Sequence, residues 1–290
     1  MMNEMDLYRR VIDGCDEALK EAFIRRMNIA DKIASSKLEN GQPITTRQTD
    51  EMHIQRVAYD VPVELQPMAL SLWRSLARMN RGRQYAYFYK NSDNLSLCFD
   101  HVITDVYKLD NVLCTSDIVN DVHRLFKSDT VIVEDQTDVV NKIDSGDYSF
   151  GVVRTNGFYD TSWLYSLIIE KNVYINRFEI LEDGSMLVLL SDKIILNDEK
   201  KIITVAFSIT MDLPGDMAQK VSVFAEAGLN IEYLAVKTQN IIDDDRRNIN
   251  IVFAELSGAG LNDFNIRSAF LQLQNECVVF KVLGYRNSVL

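Results

Sequence analysis

The chain has 290 residues, of which 47% are hydrophobic and 25% are charged, and its formal net charge at pH 7 is −11. This length is enough for two or three small domains, and the composition is that of an ordinary globular protein. An acidic chain without a basic run argues against a nucleic-acid partner, because phosphate binding requires clustered lysines and arginines.

The cysteines and the N-terminus indicate the compartment. Four cysteines are scattered along the chain, and no two have the close spacing of a zinc or redox motif. The first residues lack the charged-then-apolar layout of a signal peptide, and no run of eighteen apolar residues is present to span a membrane. We therefore expect a soluble cytoplasmic protein with free thiols, no bound metal and no membrane partner.

The first region, residues 1–92, has apolar residues at helical spacing almost throughout. The segment ENGQP ends a first helix of about 30 residues, which spans roughly 45 Å. Two shorter helices follow, from Thr46 to about Ala58 and from about Glu64 to Tyr89. Much of the apolar face of the first helix would overhang them. Pairing with a second copy would cover that face, so the pattern predicts an all-α, three-helix domain that forms an intertwined dimer.

The first helix has two cations on its apolar side. The stripe predicted to be buried consists of Phe23, Ile29, Ala30 and Ile33. Arg26 and Lys37 lie on the same stripe, because eleven residues complete three turns plus about 20°. A cation on a buried face needs a partner or a ligand. The alternative is a surface helix whose long stems carry the charges out to water.

The third helix continues its apolar face with two amides, Asn80 and Gln84. Taken alone, they are core hydrogen-bonding groups or part of a fraying helix end. Together with Arg26 and Lys37 they suggest a cationic, amide-lined pocket that suits a small dicarboxylate. Arg9 lies seventeen residues before Arg26 and points about 100° away from it. Arg9 would therefore reach the pocket of a second copy in an antiparallel dimer.

The second region, residues 93–197, contains the β-type runs TVIVED and YSFGVVR, with a segment of helical apolar spacing between them. This order predicts a small α/β domain. The segment NRFEILEDGSMLVLLS predicts a hairpin with Asp183 and Gly184 at its turn.

The third region, residues 198–290, reads strand, helix, strand, strand, helix, strand. The first helix of this region, in MAQKVSVFAEAG, is closed by Gly228. The order βαββαβ predicts a ferredoxin-like module. The whole chain is therefore predicted to be multidomain.

Residues 5–90 resemble the helical type of chorismate mutase, an intertwined dimer that rearranges chorismate to prephenate without a cofactor. The matching residues are Arg9, Arg26, Lys37, Pro43 and Gln84. The resemblance implies that Arg26, with Arg9 from a second copy, binds the two carboxylates of the substrate. It also implies that Lys37 and Gln84 are the catalytic residues, which donate hydrogen bonds to the breaking ether oxygen.

The chain departs from that family in its second and third helices. Where the family usually has Asp, Arg and Glu in the second helix, this chain has Thr46, Thr49 and Asp50. The resemblance implies that Asp50 replaces the Glu that binds the substrate hydroxyl. Asn80 replaces a Ser of the substrate-binding site. An active mutase and a slow, retuned or inactive relative both remain open.

Residues 200–287 resemble an ACT domain, the regulatory module of many enzymes of amino-acid biosynthesis. The segments DLPGDMAQKVSVFAEAGLNIEYL and FKVLGYRN carry this resemblance. The Glu-Ser-Arg-Pro segment that helps this module bind phenylalanine corresponds here to Ala235, Val236, Lys237 and Thr238. The phenylalanine signature is therefore absent. Binding of another amino-acid effector and a role in assembly alone remain open.

Residues 115–180 resemble half of a prephenate dehydratase domain. The catalytic Thr-Arg-Phe of that family corresponds to Asn176, Arg177 and Phe178. About 100 residues also cannot hold the two lobes that enclose a dehydratase site. Dehydratase activity is therefore not expected, and Arg177 is predicted to be a surface residue of a strand.

These observations predict a chorismate mutase, an isomerase of phenylalanine and tyrosine biosynthesis, with regulation through the ACT-like module. Its partners would be chorismate, an amino-acid effector and further copies of the chain, as a homodimer or a higher oligomer. The alternative is a non-catalytic regulatory relative that binds a ligand.

Overall fold

The computed structural model describes residues 3–44, 47–92, 95–97, 99, 102–103, 109–157, 160–196, 200–211, 214–242 and 248–288. The chain forms two compact units, Met1–Leu95 and Ser96–Leu290. The boundary predicted between residues 197 and 198 lies inside the second unit. Thr46 and the side chain of Thr49 lie outside the part of the chain that is described.

The first unit is helical. Its elements are α1 (Glu4–Glu39), α2 (Arg47–Tyr59), a short 3₁₀ turn (Val63–Leu65) and α3 (Gln66–Asn91). The side chain of Asn3 caps the start of α1 by accepting a hydrogen bond from the backbone N–H of Met5 at 3.3 Å. Lys37 lies in the last turn of α1, where a cation interacts favourably with the helix dipole.

Paired side chains join the three helices. Arg83 of α3 makes a bidentate ion pair with Asp31 of α1, with both N–O distances 2.7 Å. Arg74 of α3 pairs with Glu51 of α2, at 2.6 Å for the shorter contact. The buried apolar side chains between these helices are few and mostly small: Ala30, Ala34, Ile54, Ala58, Ala77 and Tyr85.

The stripe predicted to be buried on α1 is only partly buried in a single chain. Ala30 is fully buried, but Phe23, Ile29 and Ile33 are 41%, 49% and 39% exposed. A helix of 36 residues is about 54 Å long, and α3, with 26 residues, is shorter. The prediction of burial was therefore wrong for these three residues within one copy of the chain.

The second unit begins with short strands and helices. They are β1 (Val102–Ile103), β2 (Val112–Thr115), α4 (Val119–Phe126), β3 (Thr130–Val133), α5 (Gln136–Asp144), β4 (Phe150–Thr155), α6 (Ser162–Ile168), β5 (Tyr174–Ile180), β6 (Met186–Ser191) and β7 (Ile194–Ile195). The antiparallel hairpin of β5 and β6 has the predicted turn at Asp183 and Gly184. The predicted strand, helix and strand correspond to β3, α5 and β4.

The last elements are β8 (Lys200–Thr210), α7 (Asp216–Glu226), β9 (Asn230–Ile242), β10 (Asn248–Ser257), α8 (Phe264–Glu276) and β11 (Phe280–Asn287). Their spatial order in the sheet is β11-β8-β10-β9, with antiparallel neighbours. This is the arrangement of a ferredoxin-like module. The multidomain fold class predicted from the sequence, a helical region followed by mixed α/β structure, is confirmed.

One sheet runs through the second unit. Among the described residues it has nine strands in the order β3-β2-β4-β6-β5-β11-β8-β10-β9. The joint is a parallel contact between β5 and β11, where Gly284 is opposite Ile175. A Cβ added at Gly284 would lie 2.4 Å from the carbonyl oxygen of Ile175. Only glycine therefore allows the two strands to approach this closely.

A buried ionic cluster lies at the same joint. Arg286 of β11 donates to Glu255 of β10 at 2.7 Å, and the hydroxyl of Tyr165 of α6 donates to the same carboxylate at 2.6 Å. The Arg286 guanidinium also stacks on the ring of Phe178 of β5, 4.2 Å from its centroid. The cluster thus ties the α/β strands to the ferredoxin-like module.

Within the described ranges, no helix combines the length and the apolar character that a membrane span requires.

Candidate active site

The candidate site of the helical unit begins where the end of α1 meets α3. The Lys37 ammonium donates a hydrogen bond to the side-chain oxygen of Gln84 at 3.3 Å. Gln84 is buried, and its amide nitrogen donates to the carbonyl oxygen of Asn80 one turn earlier, at 3.4 Å. The two residues predicted to be catalytic, 47 positions apart in sequence, are therefore in contact.

Lys37 is an electrostatically unusual lysine. Desolvation lowers its pKa from the ordinary 10.5, and the negative charge of Asp50 opposes that change by raising it. Asp50 lies in the first turn of α2, where a carboxylate is favoured by the helix dipole. Side chains from three helices thus contribute to one electrostatic environment.

Arg26 and Asn80 are both half-buried. The Nε atom of Arg26 is buried and has no hydrogen-bond partner among the described residues. A buried guanidinium donor of this kind favours a ligand that accepts hydrogen bonds, because an unmet donor carries a desolvation cost. The carbonyl oxygen of Asn80 already accepts the bond from Gln84.

Arg9 lies apart from these residues in the single chain. Its side chain is 72% exposed and pairs with Asp6 of the same helix at 3.4 Å. Seventeen residues of helix separate Arg9 from Arg26, a distance of about 25 Å along the axis. The structure therefore groups Lys37, Asp50, Asn80 and Gln84 through these contacts and does not bring Arg9 to them. Arg26 lies eleven residues before Lys37, about 16 Å along the same helix.

Two buried arginines of α3 were missed by the sequence analysis. Arg78 and Arg81 are each exposed by 6% or less, and Arg81 makes an ion pair with Asp50 of α2. Arg78, Arg81 and Gln84 follow one another at intervals of three residues, which places them on adjacent turns of one helix face. That spacing was the available signal. The apolar stripe that leads to Asn80 lies beside this face and does not reveal it.

The group of side chains around Lys37, which we call the Lys37 cluster, combines an excess of positive charge with amide and ammonium donors. Among these contacting residues, Lys37 and Arg81 carry two positive charges and Asp50 carries one negative charge. Such a set suits a small dianion, and guanidinium groups can bind carboxylates through two parallel hydrogen bonds. Donors held in a desolvated position can also stabilise negative charge that develops on a bound molecule.

The dehydratase-like positions of the second unit have other contacts. Asn176 is buried, and its amide bonds the hydroxyl of Ser191 at 2.8 Å and the backbone N–H of Ile195 at 2.7 Å. Arg177 has a half-exposed side chain that pairs with Glu179 of the same strand. Asn176 therefore holds β5 against its neighbours, and Arg177 is a surface residue of the strand.

Residues 8–85 match the family model of chorismate mutase type II, which confirms the family predicted for the helical region. Among curated proteins, none matches the chain significantly. Some solved structures resemble part of the chain. Prephenate dehydratase from Streptococcus mutans is 19% identical, with a TM-score of 0.45, over 62% of this chain and 97% of that one.

Two further structures give similar values. Prephenate dehydratase from Arthrobacter aurescens, solved with L-Phe, is 9% identical, with a TM-score of 0.49, over 62% of this chain and 90% of that one. The quorum-quenching acylase GqqA is 12% identical, with a TM-score of 0.47, over 63% of this chain and 96% of that one.

Proposed function

We propose that the helical unit catalyses the rearrangement of chorismate to prephenate. The reaction is unimolecular: one C–O ether bond breaks, one C–C bond forms, and no proton or electron is exchanged with the protein. Catalysis then requires only that the reactive conformer is held and that negative charge on the breaking ether oxygen is stabilised. A site built from cations and amide donors has the required chemistry.

The observation that carries this proposal is the contact between Lys37 and Gln84 within the region that matches the mutase family. Both side chains offer N–H donors, and one of them is buried. A substrate ether oxygen placed between them would replace the direct bond from Lys37 to Gln84 with two donors. The lowered pKa of Lys37 is the signature of a desolvated position, in which such a donor is most effective.

The carboxylates of the substrate require two further cations. Arg26 is one, and its buried Nε atom lacks a partner among the described residues. We assign the second to Arg9 of another copy of the chain, because Arg9 does not approach Arg26 in its own helix. Asp50 then accepts the substrate hydroxyl, and Asn80 lines the same site.

The exposed apolar face of α1 supports a dimer of this kind. Its uncovered large side chains are Leu7, Val11, Ile12, Leu19 and Phe23, each 41% or more exposed. A contiguous apolar face of this length marks an interaction surface. A second copy aligned antiparallel would cover it and would bring its own Arg9 toward Arg26.

The decisive test is the loss of chorismate absorbance with the full-length protein. We expect Lys37→Ala to lower kcat by a factor of about 100–1,000, the cost of removing one preorganised donor. Lys32→Ala is the matched control, because Lys32 is an exposed lysine of the same helix. An unchanged rate in Lys37→Ala, or no turnover by the wild-type protein, would overturn the proposal.

A second test addresses the shared site. Arg9→Ala and Lys37→Ala subunits are each expected to be inactive alone. When the two variants are co-expressed, each mixed dimer has one site in which both Lys37 and Arg9 are intact. In its other site both residues are replaced. Random assembly should then restore about a quarter of the wild-type activity. No restoration in the mixed protein would show that Arg9 acts within its own chain or not at all.

For the ferredoxin-like module we propose binding of an amino-acid effector other than phenylalanine. The alternative for the whole chain is a non-catalytic relative that only binds a ligand. Titration of the active protein with the twenty amino acids tests the effector, with the rate of chorismate loss as the readout. Robust turnover removes the non-catalytic alternative, and a rate that no amino acid changes removes the effector.

A further inference from the structure

Arg81 lies deeper in the helical unit than the carboxylate it binds. The side chain of Arg81 is 8% exposed, whereas that of its partner Asp50 is 25% exposed. The guanidinium is therefore the more deeply buried member of this pair between α2 and α3, and the carboxylate is the more accessible one. The charge of Asp50 also acts on Lys37, which binds Gln84.

The deeper burial of Arg81 relative to Asp50 has an electrostatic consequence. A lone carboxylate would repel the two carboxylates of a substrate such as chorismate, because like charges in a partly desolvated site interact strongly. An arginine paired behind it cancels most of that repulsion. The hydrogen bond from the guanidinium to Oδ2 of Asp50 also restricts the orientation of the carboxylate, so that Oδ1 is the oxygen offered to a ligand.

We propose that Arg81 is a positioning residue that holds Asp50 and neutralises its charge, so that Asp50 accepts the ring hydroxyl of a dianionic substrate. The proposal rests on the proposed function of the helical site. It assigns selectivity for the hydroxyl to a pair of residues, one on α2 and one on α3.

A neighbouring ion pair provides a matched control. Arg83, two residues further along α3, pairs with Asp31 of α1 in a bidentate contact. Its side chain is 55% exposed, so this pair lies on the outside of the unit. Arg83→Met removes an arginine and an interhelical ion pair from the same helix, as Arg81→Met does, but leaves the cluster around Lys37 intact.

The experiment compares two ligands: chorismate and the analogue in which the ring hydroxyl is replaced by hydrogen. Binding is measured by calorimetry in the full-length Lys37→Ala background, where the substrate is not consumed. Arg81→Met should weaken chorismate binding by a factor of about 10–100, the range expected for the loss of one hydrogen bond to a charged group. The analogue should lose clearly less affinity than chorismate in this variant, because it is repelled by the unneutralised charge of Asp50 but has no hydroxyl whose hydrogen bond could be lost. Arg81→Lys should recover part of the chorismate affinity.

Two further variants complete the test. Arg83→Met should change the binding of neither ligand. Asp50→Ala should weaken chorismate binding, and Arg81→Met should add no further loss in that background, because a residue that acts only through Asp50 has nothing left to position. Thermal melting confirms that each variant is folded. If Arg81→Met is unfolded, Arg81→Lys gives the same comparison between the two ligands.

The outcomes separate this proposal from the proposed function. If Arg81→Met weakens the binding of both ligands equally, or weakens the binding of neither, the role of Arg81 is overturned. This holds whether or not the wild type turns over chorismate. If Arg81→Met selectively weakens chorismate binding but the wild-type protein does not turn over chorismate, the role of Arg81 is supported and the catalytic function is overturned. A protein that binds neither ligand overturns both.

Discussion

The two units each contain a buried arginine paired with a carboxylate, and the pairs differ in how far they are closed to solvent. In the sheet unit, the side chains of Arg286 and Glu255 are 2% and 1% exposed. In the helical unit, the side chains of Arg81 and Asp50 are 8% and 25% exposed. The first pair has protein groups on its outer side, and the second leaves its carboxylate accessible.

This difference separates a structural ion pair from one that is available to a ligand. Glu255 also accepts the hydroxyl of Tyr165, and Arg286 stacks on Phe178, so the partners of the sealed pair come from the protein itself. Breaking such a pair leaves a buried charge without compensation. The open pair leaves its carboxylate partly accessible, so that a bound ligand can complete its hydrogen bonds.

The strongest way to break this comparison is Glu255→Gln. We expect the free energy of unfolding of the sheet unit to fall by about 3–5 kcal/mol, because Arg286 stays buried without a counter-charge. Denaturant unfolding is followed by the fluorescence of Trp163 in a Trp73→Phe background, since these are the two tryptophans of the chain. The double variant Glu255→Leu/Arg286→Met should recover most of the loss. A fall below about 1 kcal/mol would show that the sealed pair is not structural.

A smaller effect is expected from Gly284→Ala. The added methyl group would meet the carbonyl oxygen of Ile175, which belongs to a neighbouring strand and cannot rotate away. We expect a loss of about 1–3 kcal/mol in the stability of the sheet unit, the usual cost of overpacking. Gly260→Ala is the control, because the nearest atom there is the hydroxyl of Tyr285, at 3.2 Å. Equal losses in the two variants would contradict a special role for the joint.

Tyr165→Phe sharpens the comparison through pH. Burial, followed by the charge of Glu255, raises the pKa of Tyr165 well above 10.0. Removing its hydroxyl should cost about 1 kcal/mol at pH 7. Above pH 10 the unfolded wild type ionises this tyrosine while the folded state does not, so the stabilisation falls as pH rises. The stability difference between wild type and variant should therefore narrow above pH 10. A constant difference from pH 8 to 11 would contradict this coupling.

The smallest expected effect is a shift of the alkaline limb of kcat. Lys37 offers a positive charge and a charge-assisted hydrogen bond only while it is protonated. Burial lowers its pKa from 10.5. Activity should therefore fall at a lower pH than an exposed lysine would give. Since the charge of Asp50 raises this pKa, Asp50→Asn should move the limb to still lower pH. Arg83→Met should leave the alkaline limb of kcat in place. If Asp50→Asn does not move this limb, the effect of the Asp50 charge on the pKa of Lys37 is contradicted.

The sequence predicted the elements whose signals are local. The long first helix, the hairpin of β5 and β6 and the order of elements from β8 to β11 follow from apolar spacing and from turn residues such as Gly184 and Gly228. Short elements such as α4 and α6 were missed, since seven or eight residues give little periodicity. Strand β9 ends at Ile242 and so includes the first three residues of the polar segment NIIDDDRRN, which its composition predicts to be a loop.

The missed features of the site and of the sheet depend on partners far away in sequence. Arg81 binds a carboxylate 31 residues earlier, and Gly284 lies opposite a residue 109 positions away. No local pattern specifies either contact. The exposure of Phe23 and Ile33 has a related origin, because apolar periodicity identifies the face of a helix that should be covered but not what covers it.

The position of β11 also affects how the chain can fold during synthesis. This strand lies between β5 and β8 in the interior of the sheet, yet it comes after all the other strands in sequence. Until residues 280–287 have left the ribosome, β5 and β8 each keep an open edge, and such edges are sites of mispairing between chains. We therefore expect the nascent sheet unit to depend on chaperones up to its last strand, whereas the helical unit can fold much earlier.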